Sequence, residues 1–82
     1  MPLALKPRQT LLFIGDSITD CGRRGAEAPL GVGYVRQIRD LLVARYPAIN
    51  VNVINKGISG NTVRDLTHRL TDDCIRHQPD WI

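Results

Sequence analysis

Residues 10–20 read TLLFIGDSITD, and the fold turns on how the first six give way to the last five. TLLFIG, residues 10–15, is an unbroken apolar run closed by Gly15 and Asp16, the pattern of a strand buried on both faces, as in a parallel sheet. Residues 21–33, CGRRGAEAPLGVG, show no periodicity and carry glycines and Pro29, which predicts a loop. From Tyr34 the apolar residues Tyr34, Val35, Ile38, Leu41, Leu42 and Tyr46 follow helical spacing, and Pro47 stops the helix. Residues 50–55, NVNVIN, place Val51, Val53 and Ile54 in a second strand. A second helix is predicted from about Thr62 to Arg76, with Val63, Leu66, Leu70 and Cys74 on one face. Trp81 and Ile82 begin a third strand. The order β-α-β-α-β predicts an α/β fold with a right-handed, doubly wound parallel sheet. Such sheets hold their chemistry just past the carboxyl ends of the strands.

Composition narrows the field. The 82 residues suffice for one small domain, and 43% hydrophobic with 23% charged residues describes an ordinary globular chain. No apolar run approaches the roughly 18 residues of a membrane span. Leu3, Ala4 and Leu5 are interrupted by Lys6 and Pro7, too short for a secretory core of about 7 to 15 residues, so a cytoplasmic location without membrane association is expected. The net charge of +3 is spread over Arg23, Arg24, Arg36, Arg39, Arg64, Arg69 and Arg76 with acids between them, which speaks against nucleic acid as a partner. Cys21 and Cys74 make no disulfide framework and lack metal-ligand spacing, so reduced thiols, no metal and no cofactor are expected. Gly31-Val32-Gly33 lacks the third glycine of a dinucleotide fingerprint, and no Gly-Lys-Ser/Thr triplet marks a phosphate loop.

Two segments fall at strand ends. In Gly15–Asp20, Ser17 would stand at the rim with a free hydroxyl and its N–H at the start of a turn, suited to a nucleophile that also helps hold an oxyanion. Asp16, Ser17 and Thr19 are equally the residue types that simply cap a turn. Thr19 stands where the G-x-S-x-G elbow needs glycine. In Lys56–Thr62, Gly60 could bring a backbone N–H to the same rim, because a residue without a side chain lets the backbone approach a reacting carbonyl. Thr62 and Asp65 have the spacing of a capping box, a role compatible with the first.

FIGDSITD followed about 40 residues later by NKGISGNT resembles blocks I and II of the SGNH, or GDSL, ester hydrolases. CGRR, LGVGYV, RDL and the PDWI ending are most similar to the branch of bacterial acetylxylan esterases and related carbohydrate deacetylases. The resemblance implies a flavodoxin-like, three-layer α/β/α fold. Residues 1–82 would be the amino-terminal part of a single domain, supplying β-α-β-α and the start of a third strand. It also implies a serine ester hydrolase that removes acetyl groups from carbohydrate esters through an acyl-enzyme, with a small-molecule or oligosaccharide ester as its partner. Ser17 matches the nucleophile and the first oxyanion-hole N–H, and Gly60 the second, with Asp16 and Asn61 in support. Family members take a third donor from the Asn of a G-x-N-D block and their His and Asp from a later D-x-x-H block. Neither block occurs up to Ile82 in these positions, so the chain alone is expected to be inactive and, with apolar surface uncovered, marginally folded or self-associating.

Asp65-Leu66-Thr67-His68 also spells D-x-x-H. At about 100° per residue His68 falls some 140° from Val63, on the solvent side, and cannot reach Ser17. His77 lies at the far end of the same helix. Cys21, close behind Ser17, reads as a packed small residue near the rim. The readings that compete with an esterase are a non-catalytic α/β module binding a small ligand at the same rim, and an inactive remnant.

Overall fold

Strand β1 (Thr10–Gly15) runs parallel to β2 (Asn52–Gly57), in register from Thr10↔Asn52 to Gly15↔Gly57. The computed structural model describes residues 4–82. Asn52 N–H donates to the Gln9 carbonyl (2.9 Å) and Ile58 N–H to the Gly15 carbonyl (3.0 Å), so odd-numbered residues of β1 face β2. The even-numbered groups face the other way: Trp81 N–H donates to the Thr10 carbonyl (3.1 Å) and Leu12 N–H to the Trp81 carbonyl (2.9 Å). Trp81 therefore bridges to the opposite edge of β1, in parallel. The order is second, first, third, with β1 in the middle, which is how a flavodoxin-like sheet begins.

Between the strands the chain makes one short helix and one long one. Asp16 caps α1 (Ser17–Asp20), a single turn that ends at Cys21 in the left-handed region, φ 40°. Turns, with a cis Ala28–Pro29 peptide, then lead to α2 (Tyr34–Arg45). Phe13 of β1 meets Tyr34 edge-on, with ring centroids 5.6 Å apart, which pins the start of α2 to the sheet. After β2 comes α3 (Val63–Asp73), with its predicted capping box formed between Thr62 and Asp65.

Three boundaries differ from expectation. The second strand lies at Asn52–Gly57 rather than 50–55. Asn50 sits at φ 49°, which turns the chain before the strand, and Asn55, within the strand as expected, is buried. The last helix stops at Asp73, and residues Ile75–His77 form a separate 3-10 turn. Gln78, at φ 49° and followed by Pro79, redirects the chain to bring Trp81 back to β1. Within β1, Leu12 is fully enclosed while its neighbours are half-buried, short of the two-sided burial expected. Leu12, Val35 of α2 and Cys74 are the largest fully buried side chains. Val63 of α3 is 80% exposed and Ile82 67%. Among the described residues, no helix is long and apolar enough to cross a membrane.

Candidate active site

Ser17 is the first residue of α1, directly past the carboxyl end of β1. Asp16 makes the turn that presents it. The Asp16 carboxylate accepts Ile18 N–H (3.1 Å), while its carbonyl accepts Thr19 N–H (3.1 Å) and Asp20 N–H (2.9 Å). Gly15 is needed because a Cβ there would lie 2.3 Å from Thr19 Oγ1, which is itself held 2.7 Å from the Tyr34 hydroxyl. Ser17 is exposed, and among the described residues its N–H donates to no protein acceptor.

The second segment starts inside β2, since Lys56 and Gly57 belong to the strand. Ile58 N–H on the Gly15 carbonyl keeps it in step with β1, and Asn61 N–H on the Ile58 carbonyl (3.2 Å) closes a tight turn. Gly60 lies at φ +87° in open space, and its N–H, like that of Ser17, meets no acceptor among the described residues. The need for glycine here is thus the left-handed backbone of the turn. Within the chain, the close backbone approach that requires a glycine is at Gly57, where a Cβ would lie 2.4 Å from Asp20 N.

Four further residues bind the two segments together. Asp20, 5% exposed, accepts Ser59 N–H (3.0 Å) and the Ser59 hydroxyl (3.3 Å) across the rim. The Ser59 N–H above all, then the Arg23 N–H and the Arg24 charge, hold its pKa below the usual aspartate value, while burial works against them. Asn55, 4% exposed, donates to the carbonyls of Thr19 (2.7 Å) and Leu30 (2.8 Å) and accepts Gly57 N–H (2.8 Å). Arg23 Nε donates to the Gly57 carbonyl. Arg69 reaches from α3 to both strand ends. Asp20, Asn55 and Arg23 lie inside the FIGDSITD, NKGISGNT and CGRR segments, but no role is read for them there, and Arg69 lies outside those segments. The faint signals were an amide and a carboxylate inside otherwise apolar or turn segments, and an arginine about 60° around the helix from Leu66.

The remaining candidates fall outside this cluster. His68 and His77 are exposed. The Asp65 carboxylate accepts Thr62 N–H (2.8 Å) and the Thr62 hydroxyl (3.1 Å), which lowers its pKa and engages it as a cap rather than as a partner orienting His68. Cys21 donates its thiol to the Ile18 carbonyl (3.1 Å) and fills the space beside Gly33, whose Cβ would lie 2.7 Å from its sulfur. Cys74 is fully buried, and desolvation raises its pKa. No group of three His, Cys, Asp or Glu side chains able to hold a metal ion occurs among the described residues.

Two strand-end turns, with Ser17 on one and Gly60 on the other, therefore share one polar framework. Residues 13–82 match the family model described as GDSL-like lipase/acylhydrolase. The chain belongs to this family. The acetylxylan esterase of Geobacillus stearothermophilus is 54% identical over 79 residues, a match that covers 90% of this chain and 36% of that protein. The crystal structure of that esterase aligns with a TM-score of 0.90 at 51% identity, covering 96% of this chain and 38% of the other. An alpha/beta hydrolase from the metagenome of Lake Arreo, Spain, aligns with a TM-score of 0.84 at 41% identity, covering 92% of this chain and 37% of its own. The chain spans a little over a third of the length of these relatives. Solved variants of the Geobacillus esterase include catalytic mutants with a serine, an aspartate or a histidine exchanged for alanine. The flavodoxin-like α/β arrangement expected from the sequence is the fold these residues share with those structures.

Proposed function

We propose that residues 1–82 are the amino-terminal part of a single SGNH hydrolase domain that removes acetyl groups from carbohydrate esters, of the xylan or xylo-oligosaccharide kind. The observation that carries this reading is the pair of uncommitted N–H groups, at Ser17 and Gly60, on two turns tied into one framework beside an exposed serine hydroxyl. Ser17 Oγ attacks the acetyl carbonyl while a histidine takes its proton. The carbonyl oxygen, now an anion, is held by the Ser17 and Gly60 N–H groups. Collapse expels the sugar alkoxide, which takes the proton back from the histidinium, and leaves acetyl-Ser17. Water, deprotonated by the same histidine, then attacks the acyl-enzyme, and acetate departs as the serine hydroxyl is restored.

The histidine, its orienting aspartate and a third oxyanion donor from an asparagine belong to the family's later blocks, not to these 82 residues. The catalytic serine, aspartate and histidine mutants of the Geobacillus relative are consistent with that division. The chain by itself is accordingly inactive in this proposal. A cytoplasmic location and a small or oligosaccharide ester as partner complete the reading.

The test uses the open reading frame that contains this chain, expressed in full. It should hydrolyse p-nitrophenyl acetate and acetylated xylo-oligosaccharides, and Ser17→Ala should lower kcat by on the order of 10⁴- to 10⁶-fold with the fold retained. A rapid-quench digest should place the acetyl group on the Ser17 peptide. Turnover that survives Ser17→Ala excludes the reading.

A further inference from the structure

The guanidinium of Arg69 makes four hydrogen bonds, and three of them join the pieces of the rim. Nε donates to Asn61 Oδ1 (2.7 Å), next to Gly60. Nη1 donates to the Lys56 carbonyl near the end of β2 (2.7 Å), and Nη2 to the Gly15 carbonyl at the end of β1 (3.1 Å). The fourth bond, from Nη1 to Asp73 Oδ2 (2.8 Å), balances the charge from one helical turn away. The side chain is 15% exposed, so these bonds form largely out of water, where a charged donor to a carbonyl is strong.

We infer that Arg69 is a positioning residue that sets the distance between the Ser17 turn and the Gly60 N–H. This rests on the reading of Ser17 and Gly60 given above. Gly60 has nothing packed within 4 Å of where a Cβ would be, so no side-chain packing there holds its peptide in place. Its orientation is inherited from its two neighbours. Ser59 is fastened to Asp20, which belongs to the helical turn of Ser17. Asn61 is fastened to Arg69, which grips the carbonyl two residues before Ser17. The two anchors thus refer the Gly60 N–H to the nucleophile from opposite sides. A planar fork with five donors can serve acceptors on two strands and a turn at once, whereas the single ammonium of lysine cannot span them. An oxyanion donor acts only when its geometry fits the tetrahedral intermediate, so loosening Arg69 should weaken the transition state rather than substrate binding.

The experiment compares kcat and KM on p-nitrophenyl acetate for the full reading-frame product and its Ser17→Ala, Arg69→Lys, Arg69→Met and Asn61→Ala variants, alongside thermal melting. Val35→Ala, a cavity in the core on α2, serves as the control for lost stability alone. Arg69→Lys and Arg69→Met should lose on the order of 10²-fold in kcat with KM within about threefold of the parent. Val35→Ala should lower the melting temperature and leave kcat in place. If both Arg69 variants fail to fold, Asn61→Ala decides, since it removes only the Nε bond at the turn and should still lower kcat with KM unchanged. An Arg69→Lys variant with parental kcat, while Ser17→Ala is inactive, overturns this inference alone; parental kcat in Asn61→Ala does so where the Arg69 variants do not fold. Activity in Ser17→Ala, or none in the parent, overturns the site reading and this inference with it.

Discussion

The polar rim past β1 and β2 and the exposed apolar residues of α3 and the Trp81–Ile82 segment are built on opposite terms. At the rim the buried polar groups find partners within the chain, and Asp20, Asn55 and Arg69 each make two or more hydrogen bonds to neighbouring segments. No buried side-chain nitrogen or oxygen lacks a partner among the described residues. Val63 and Leu70 of α3, and Trp81 and Ile82, by contrast lie exposed. Hydrogen bonds are directional and short, so a few residues can complete them locally. Apolar burial scales with area, at about 25 cal/mol per Å², and needs whole elements to cover it. A short chain can therefore carry a closed polar framework beside uncovered apolar surface.

The largest expected effect breaks the comparison on its apolar side. Purified by itself, the 82-residue chain should self-associate through its open strand edge and apolar patches, and it should not hydrolyse acetate esters above background. Sedimentation velocity and a chromogenic assay read both. A monomer that melts cooperatively would show the apolar surface to be less costly than its exposure suggests.

The next test strikes the polar side. In the full reading-frame product, Asn55→Ala strands the Thr19 and Leu30 carbonyls and the Gly57 N–H, and each unsatisfied group costs about 1–3 kcal/mol. Chemical denaturation should show a loss of about 3 kcal/mol or more. A loss below about 1 kcal/mol would mean that water replaces the amide without penalty, and the rim would then not be closed.

A smaller effect follows from Asp20. Its folded pKa is lowered, chiefly by the Ser59 N–H, so its contribution to stability is present above the unfolded value near 3.8 and is lost as pH falls below that through the folded pKa. Melting temperature against pH should fall more steeply below 3.8 in the parent than in Asp20→Asn. Parallel curves would remove Asp20 from the framework. The smallest effect is reserved for His68, exposed on α3. His68→Ala should change stability by no more than about 0.5 kcal/mol and leave kcat within a few-fold. A collapse of kcat in a folded variant would place the base on this helix after all.

The outline of the molecule was legible in the sequence. Continuous apolarity in TLLFIG, helical spacing from Tyr34 and the Thr62–Asp65 cap are local patterns, and local patterns survive into β1, α2 and the start of α3. Ser17 and Gly60 were legible as candidates because strand ends are where an open α/β sheet gathers its chemistry. The start of β2 was misplaced because nothing local says that Asn50 takes the left-handed region and turns the chain there, and the burial of Asn55 within the strand depends on two carbonyls and an N–H that only folding brings to it. The end of α3 was misplaced because the helical pattern runs on to Arg76 while the return of Trp81 to β1 requires the chain to turn.

What the sequence determined by itself, then, is periodicity, capping and the order of elements, since each is set by residues within a turn or two of one another. The tertiary structure alone decided which edge of β1 receives Trp81, that glycine at 57 answers to the backbone of Asp20, and that Asp20 and Arg69 span between segments 39 and 54 residues apart. Those pairings depend on where distant residues meet in space. A hydrogen bond a few ångströms long cannot be read from a chain until folding has brought its two ends together.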